Sequence, residues 1–475
     1  MAKISTSLIL LILILPLKLS AQFSSLTNLK QEATTINTGD RPQSKVWSYD
    51  CYHWAVFSNA TGTHLWRLDD DSWTKMLTIS DQTDSKADCK VVDNVVHVFL
   101  YQGITSRLVS LEYDSAAYNY KYWTNRTSAV TITLDNEVET ATIDIDGNGR
   151  MWLASDGVDD INVRWSDSPY KEWSEPILLA KGIHADDISA VVALPGKVGV
   201  IWSNQNIRRF GFKLHNDGDD PATWSEDEIP ASQSALDIGK GMANDHINMA
   251  VAKDGTLYCA IKTEYRKEYE RLPYPLVSLI VRRPSGTWDN LYEVNNRGTR
   301  PIVLLNEDLG KLRVVYTSAD AGGKIVYRET STNNISFGEQ YTLIEGFYNN
   351  PTSMKSNPGS EVVILASDDK YVAGVLASDN PSPSDACNIS DTFTVYPNPF
   401  ASTTTLHFLF RKATDYTIDL YDSKGSFIAT IGKGRAEARR ENTLELNGEF
   451  LSRGLYMIRL QAESESKSLK LIYNK

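Results

Sequence analysis

The chain has 475 residues, 41% hydrophobic and 23% charged, with a formal charge of −12. That composition supports more than one buried core, and its acidity argues against nucleic acid or an anionic membrane as partner, although a local basic cluster could still hold an anionic ligand. Four cysteines in this length exclude a disulfide framework.

The chain opens on Lys3, an apolar run from Leu8 to Leu17 interrupted by Pro16, and Leu-Ser-Ala before Gln22. Residues 1–21 therefore read as a secretory signal peptide, too short to span a bilayer, with cleavage after Ala21. Loss of Lys3 and Lys18 with it makes the remainder more acidic by two charges. Nothing downstream is apolar over the ~20 residues that a transmembrane helix needs.

From residue 22 to 378 the dominant feature is a repeat. Trp73, Trp123, Trp173, Trp224, Trp288 and Phe337 follow one another at gaps of 50, 50, 51, 64 and 49 residues, each at the end of a turn-rich segment. A period near 50 with several short strands per unit predicts an all-β fold, a seven-bladed β-propeller. The third unit shows the plan: strands at 139–145, 150–154 and 161–165, a turn at Asp146-Gly147-Asn148-Gly149, and a fourth strand through Ile177 and Leu179. Paired strands recur at 89–100, 191–202, 246–262 and 302–316. The seventh unit, from Thr352, supplies three strands only, so the segment Leu26 to Ile36 is expected to add the fourth and close the ring.

The cysteines add little to this frame. A Cys51–Cys89 bridge is left open, Cys259 reads as a buried thiol, and Cys387 falls in a linker. No pair has zinc-site spacing. Asp144, Asp146 and Asn148 echo a calcium loop, yet Ser155 stands where the closing Glu belongs, so a hairpin turn is the reading and no metal or other cofactor is expected.

The turn before each aromatic resembles the Asp box of sialidase-like propellers, Ser-x-Asp-x-Gly-x-Thr-Trp. Ser166, Ser168 and Trp173 match it with Ser at the Asp position; Asp219, Thr223 and Trp224 match three positions; Thr287 and Trp288 match two. The motif is structural: a polar side chain ties the turn and the aromatic packs between sheets.

After Ser378 a Pro/Ser-rich linker, 379–390, marks a domain boundary. Beyond it, 391–475 contains Val395-Tyr396-Pro397-Asn398-Pro399-Phe400, then Leu420-Tyr421-Asp422 with Gly425, then Leu451-Ser452-Arg453-Gly454-Leu455-Tyr456, then Lys467 to Lys475. These residues resemble the type A C-terminal sorting domain of the type IX secretion system. The resemblance implies a small β-sandwich, handling by the secretion machinery, and passage through the periplasm to the cell surface or medium.

In a four-stranded meander, strands alternate in direction. The crossings between units and the second-to-third loops therefore share one face, and the Asp-box-like turns the other. The first face carries Asp187, Asn206, His246, Lys262 and Arg300, and the long gap in the fifth unit falls there as an insertion, Thr263 to Tyr274. Its Tyr265, Arg266, Tyr269 and Arg271 suit stacking on sugar rings and pairing with carboxylate or sulfate. Each residue also has a plain reading: His246 as a strand cap, Arg300 as an inter-unit ion pair, the insertion as a solvated loop.

Sialidase-like propellers include, in a related branch, ulvan lyases that use His, Tyr and Arg. That resemblance implies a catalytic set here of Arg300 and Lys262 neutralising a uronate carboxylate, with Tyr265 and His246 moving the ring proton. Tyr269, Arg266, Arg271, Asp187 and Asn206 would bind substrate. Against it, Glu139 and Asp159 occupy the third unit where a histidine pair would be wanted, and no arginine triad of the sialidase kind is assignable. The expectation is an exported propeller that binds an extracellular polysaccharide, with or without cleaving it as a lyase or glycoside hydrolase. The alternative is a non-catalytic propeller mediating protein–protein interaction at the cell surface.

Overall fold

The structure is a computed structural model. It describes residues 22–39, 42–231, 241–265, 275–379, 393–410, 414–437, 440–462 and 465–474. Residues 1–21, expected to be a signal peptide, residues 380–392 with Cys387, and the insertion residues Arg266, Tyr269 and Arg271 lie outside the described residues. All described regular elements are strands.

The first unit is the meander Val46–Tyr49, Tyr52–Asn59, Gly62–Asp69, Ser72–Ser80; the second runs from Lys86–Val92 to Val130–Thr133. The third is Ala141–Ile145, Met151–Asp156, Asp160–Ser166, Ile177–Lys181. In the fourth, Ser189–Leu194, Lys197–Asn204 and Arg209–Asn216 form the sheet, and a single bridge from Phe212 to Glu228 stands in for a fourth strand. The fifth runs from Ile247–Val251 to Tyr292–Asn295.

The last two units share one seven-stranded sheet because Gln340–Thr352 is long enough to serve both. Its first part pairs with Gly323–Ser331; its end, at Asn349 and Thr352, pairs with Glu361–Ser367. The amino-terminal strand Ser25–Ala33 then adds antiparallel to Tyr371–Ser378, with Ser25 opposite Ser378 and Ala33 opposite Tyr371. The first and seventh units also meet at the axis, where Val46 bridges Met354 and Thr352 Oγ1 donates to Gln43 O at 3.0 Å. Seven consecutive units thus close into a propeller, and the outer edge of the last one is covered rather than left as an unpaired ladder.

The spaced aromatics explain the period. Trp73 packs in the cluster between units seven and one, Trp123 and Trp173 between two and three, Trp224 between three and four, Trp288 between four and five, and Phe337 between five and six. Each seals a seam between neighbouring sheets that no single unit could bury alone. Ser166 in the best-matching turn ties its own loop by donating to Glu172 O at 2.6 Å.

Among the cysteines, Cys51 is disulfide-bonded, while Cys89 and Cys259 are free and buried. The possible Cys51–Cys89 bridge is therefore corrected: Cys89 faces the packed interface of units one and two beside Val98 and Ala87. Asp144 and Asp146 are also accounted for. Asp144 pairs with Lys90, and Asp146 accepts from Asn148 N, Arg150 N and Trp152 Nε1.

Beyond the linker, Thr394–Tyr396, Thr403–Leu409 and Glu441–Asn447 make one sheet; Phe427–Ala436, Thr414–Asp422, Gly454–Ala462 and Glu465–Tyr473 make another. Strict alternation drives them together. Along Gly454–Ala462, Tyr456, Ile458 and Leu460 are buried between exposed residues, and they meet Leu406, Phe408, Ile418 and Leu420 in one core.

Candidate functional site

The loops sort to opposite ends of the ring. On one end, crossings meet second-to-third loops: Gln205 N donates to Asp187 Oδ2, Asn206 Nδ2 to Gly182 O, and Lys262 N to His246 O. On the other, hairpin turns meet one another, as where Gly147 N donates to Asp217 Oδ2 and Lys253 N to Glu307 Oε1.

On the first end, the segment 244–246 leads into the inner strand of the fifth unit, and His246 is its last residue before Ile247–Val251. His246 is buried. Its Nδ1 lies 2.7 Å from both Asn244 Oδ1 and Asp245 Oδ1. Both are acceptors, so the ring proton sits on Nδ1 and Nε2 is left as the basic nitrogen. Nε2 is itself buried and has no hydrogen-bond partner among the described residues. Asn244 is held in turn by donating Nδ2 to Glu264, also buried.

Two cations stand near this imidazole. Burial pushes the His246 pKa below the ordinary value; the Asp245 carboxylate opposes that, and the Lys262 and Arg300 charges reinforce it. Lys262 ends the strand Leu257–Lys262, its ammonium 3.6 Å from Asp320 Oδ1. Arg300 lies at a register shift in the strand Thr299–Asn306, with its backbone in the left-handed region at φ 52°. A non-glycine residue held there is strained, and such strain gathers where surrounding structure fixes a side chain for use. His246 and Arg300 border one small depression of about 10 Å³ with Gly39 and Asn350.

The structure thus brings together three of the four residues expected to act, His246, Lys262 and Arg300. Tyr265 is buried, a correction to its expected place on an open loop. It is 1% exposed and packs in the core between units four and five with Phe210, Met242 and Ile261, because its ring completes an apolar cluster at the root of the insertion. Asp187 is also fully buried, so it ties its loop by accepting from His184 N at 2.8 Å and Gln205 N at 2.9 Å. Asn206 remains at the surface in the fourth unit. Asn244, Asp245, Glu264 and Asp320 complete the cluster; no motif marks them, but Asp245 adjoins His246 in sequence and could have been read as its orienting carboxylate.

No curated protein matches the sequence. Among solved structures, the polysaccharide lyase Uly1 is similar over 76% of this chain and 100% of its own, at 8% identity and a TM-score of 0.44. An ulvan lyase of family PL25 covers 74% of this chain and 96% of its own, at 12% identity and a TM-score of 0.46. A mutant sialidase of Trypanosoma rangeli covers 95% and 89%, at 8% identity and a TM-score of 0.40. Residues 394–474 match the secretion system C-terminal sorting domain family, which agrees with the terminal motifs and the sandwich they build. The chain therefore ends in a type IX sorting domain that directs it to the cell surface or the extracellular space.

Proposed function

We propose that the propeller recognises an acidic extracellular polysaccharide at the end of the ring where His246, Lys262 and Arg300 meet. The observation that carries this reading is the chemistry of that cluster: two cations beside a histidine that burial keeps neutral and that Asp245 and Asn244 orient. A guanidinium and an ammonium match a uronate carboxylate or a sulfate ester, and a neutral imidazole nitrogen accepts from a sugar hydroxyl. Export to the cell exterior supplies the setting in which such polymers are met.

Binding is favoured over cleavage by size. The depression beside His246 and Arg300, about 10 Å³, is room for roughly one water, so a pyranose would rest on the cluster rather than enter it. A lyase reading has its own support in the His246 tautomer, which is that of a general base. The test is incubation of the purified protein with immobilised and soluble uronate-rich and sulfated polysaccharides. Retention without product supports recognition; absorbance from unsaturated uronate would turn the reading to a lyase; absence of retention on every acidic polymer would refute it.

A further inference from the structure

A second polar space lies on the axis of the ring and shares no residue with the depression beside His246. Its volume is about 190 Å³, well above the roughly 10–15 Å³ that a single water needs. Inner strands of the second to fifth units line it, together with residues 355–357, which cross from the seventh unit. Lys90 and Asp144 sit late in their inner strands, whereas His246 precedes its own, so this cavity is displaced along the axis toward the end of the hairpin turns.

Its walls have donors to spare and no free carboxylate oxygen. Lys90 Nζ gives one hydrogen bond, to Asp144 Oδ1 at 2.5 Å, which leaves two of its three donors. Lys355 Nζ reaches across the axis to Asp88 Oδ2 at 2.6 Å and Ile143 O at 2.5 Å, with one donor left. Asn248 accepts Val303 N through Oδ1, so its amide NH₂ is uncommitted, and Ser356 offers an exposed hydroxyl. The Asp144 oxygens are taken by Lys90, Ile145 N and Ala193 N. Asp88 is occupied by Ser44 N, Ile143 N and Lys355, and Glu307, behind Asn357, by Lys253 N and the Asn357 amide. Of the charged side chains that line the space, two are lysines, Lys90 and Lys355, and one is a carboxylate, Asp144.

We propose that this axial cavity binds a small oxyanion, a sulfate, phosphate or carboxylate group, through Lys90, Lys355, Asn248 and Ser356. Two lysines against one carboxylate on its walls favour an anion, and hydrogen bonds from ammonium to oxyanion are stronger than those between neutral groups. The space holds the anion with at most one sugar ring, so the ligand is either a free inorganic anion or a terminal acidic sugar.

The test is calorimetric titration of the full-length protein with sodium sulfate, sodium glucuronate and glucose. Saturable binding of sulfate or glucuronate with none of glucose is expected; sulfate alone identifies a free anion, glucuronate alone a terminal acidic sugar. Lys90→Gln should weaken it at least tenfold. Ser356→Trp, which fills the mouth without touching an ion pair, should do the same and keeps the test valid if the lysine variant fails to fold. No saturable binding of either anion, equal binding of glucose, or an unchanged affinity in Ser356→Trp would overturn the assignment.

Discussion

Arg313 forks onto the carboxylate of Asp379, the last described residue before the linker, with Nη1 2.8 Å from Oδ2 and Nη2 on Oδ1. The same guanidinium donates to Glu329 at 2.6 Å and lies 3.7 Å from the centre of the Phe23 ring. Ser24 N donates to Ser378 O at 2.7 Å, so both ends of the propeller are held at one place. Ring closure rests on this clamp as well as on strand pairing.

Arg313→Met would leave the buried Glu329 and Asp379 with only Lys311 between them, 3.3 Å and 3.7 Å away. Breaking a buried ion network from one side costs about 3–5 kcal/mol. Because Lys311 still bridges the two carboxylates, denaturant unfolding should show a loss of at most that order, whereas Lys324→Met, at the exposed Lys324–Glu345 pair, should shift stability by less than about 1 kcal/mol.

The closing strand can be weakened at Leu29, which is buried against Val363, Leu365 and Val372. Leu29→Ala removes that contact and should destabilise by about 2–5 kcal/mol. Gly374 lies at the same seam: a Cβ there would stand 2.8 Å from Leu365 Cδ2 and 3.0 Å from Leu29 Cδ1. Gly374→Val should therefore also lower the melting temperature, and a wild-type melting temperature in both variants would show that the amino-terminal strand does not hold the ring.

His97 supplies a pH dependence. Its ring is buried against Trp123 and Tyr170, with Nδ1 2.7 Å from Ser110 Oγ, and burial, helped by Arg126 and Lys90, lowers its pKa to about 3. The unfolded chain takes up a proton near pH 6.5 that the folded chain refuses until about pH 3, so stability falls as pH drops through that window. His97→Gln should flatten the loss between pH 6.5 and 4 by a few kcal/mol at most; an unchanged slope would place the acid sensitivity elsewhere.

Much of this architecture was legible because it is periodic. The spaced aromatics mark seams, the turns between them are local, and the three-strand remainder at Thr352 requires a partner that only the amino terminus can provide. The site was legible in part. His246, Lys262 and Arg300 each adjoin a strand end, and strand direction alone sorts such residues to one face. Tyr265 was not, since nothing in an insertion rich in Tyr, Arg and Lys says which ring turns inward to fill a core. The Lys90–Asp144 and Lys355–Asp88 pairs were equally invisible, because each joins segments more than fifty residues apart in sequence.

Asp245 should matter through His246 rather than by touching ligand. Asp245→Asn keeps the shape but removes the charge that opposes the downward shift of the His246 pKa. If a hydroxyl donates to His246, the acid limb of glycan binding should move to lower pH in this variant while affinity near pH 8 changes by less than about threefold. A uniform loss at every pH would assign Asp245 a structural role alone.

The most direct test of the account is the affinity of the wild type, Arg300→Ala and Lys262→Ala for a uronate-rich polysaccharide, measured at low and high salt. Recognition at the cluster predicts binding that weakens with salt and falls at least tenfold in each variant, with folding unchanged. Wild-type affinity in both variants, or equal affinity for a neutral polysaccharide, would contradict it.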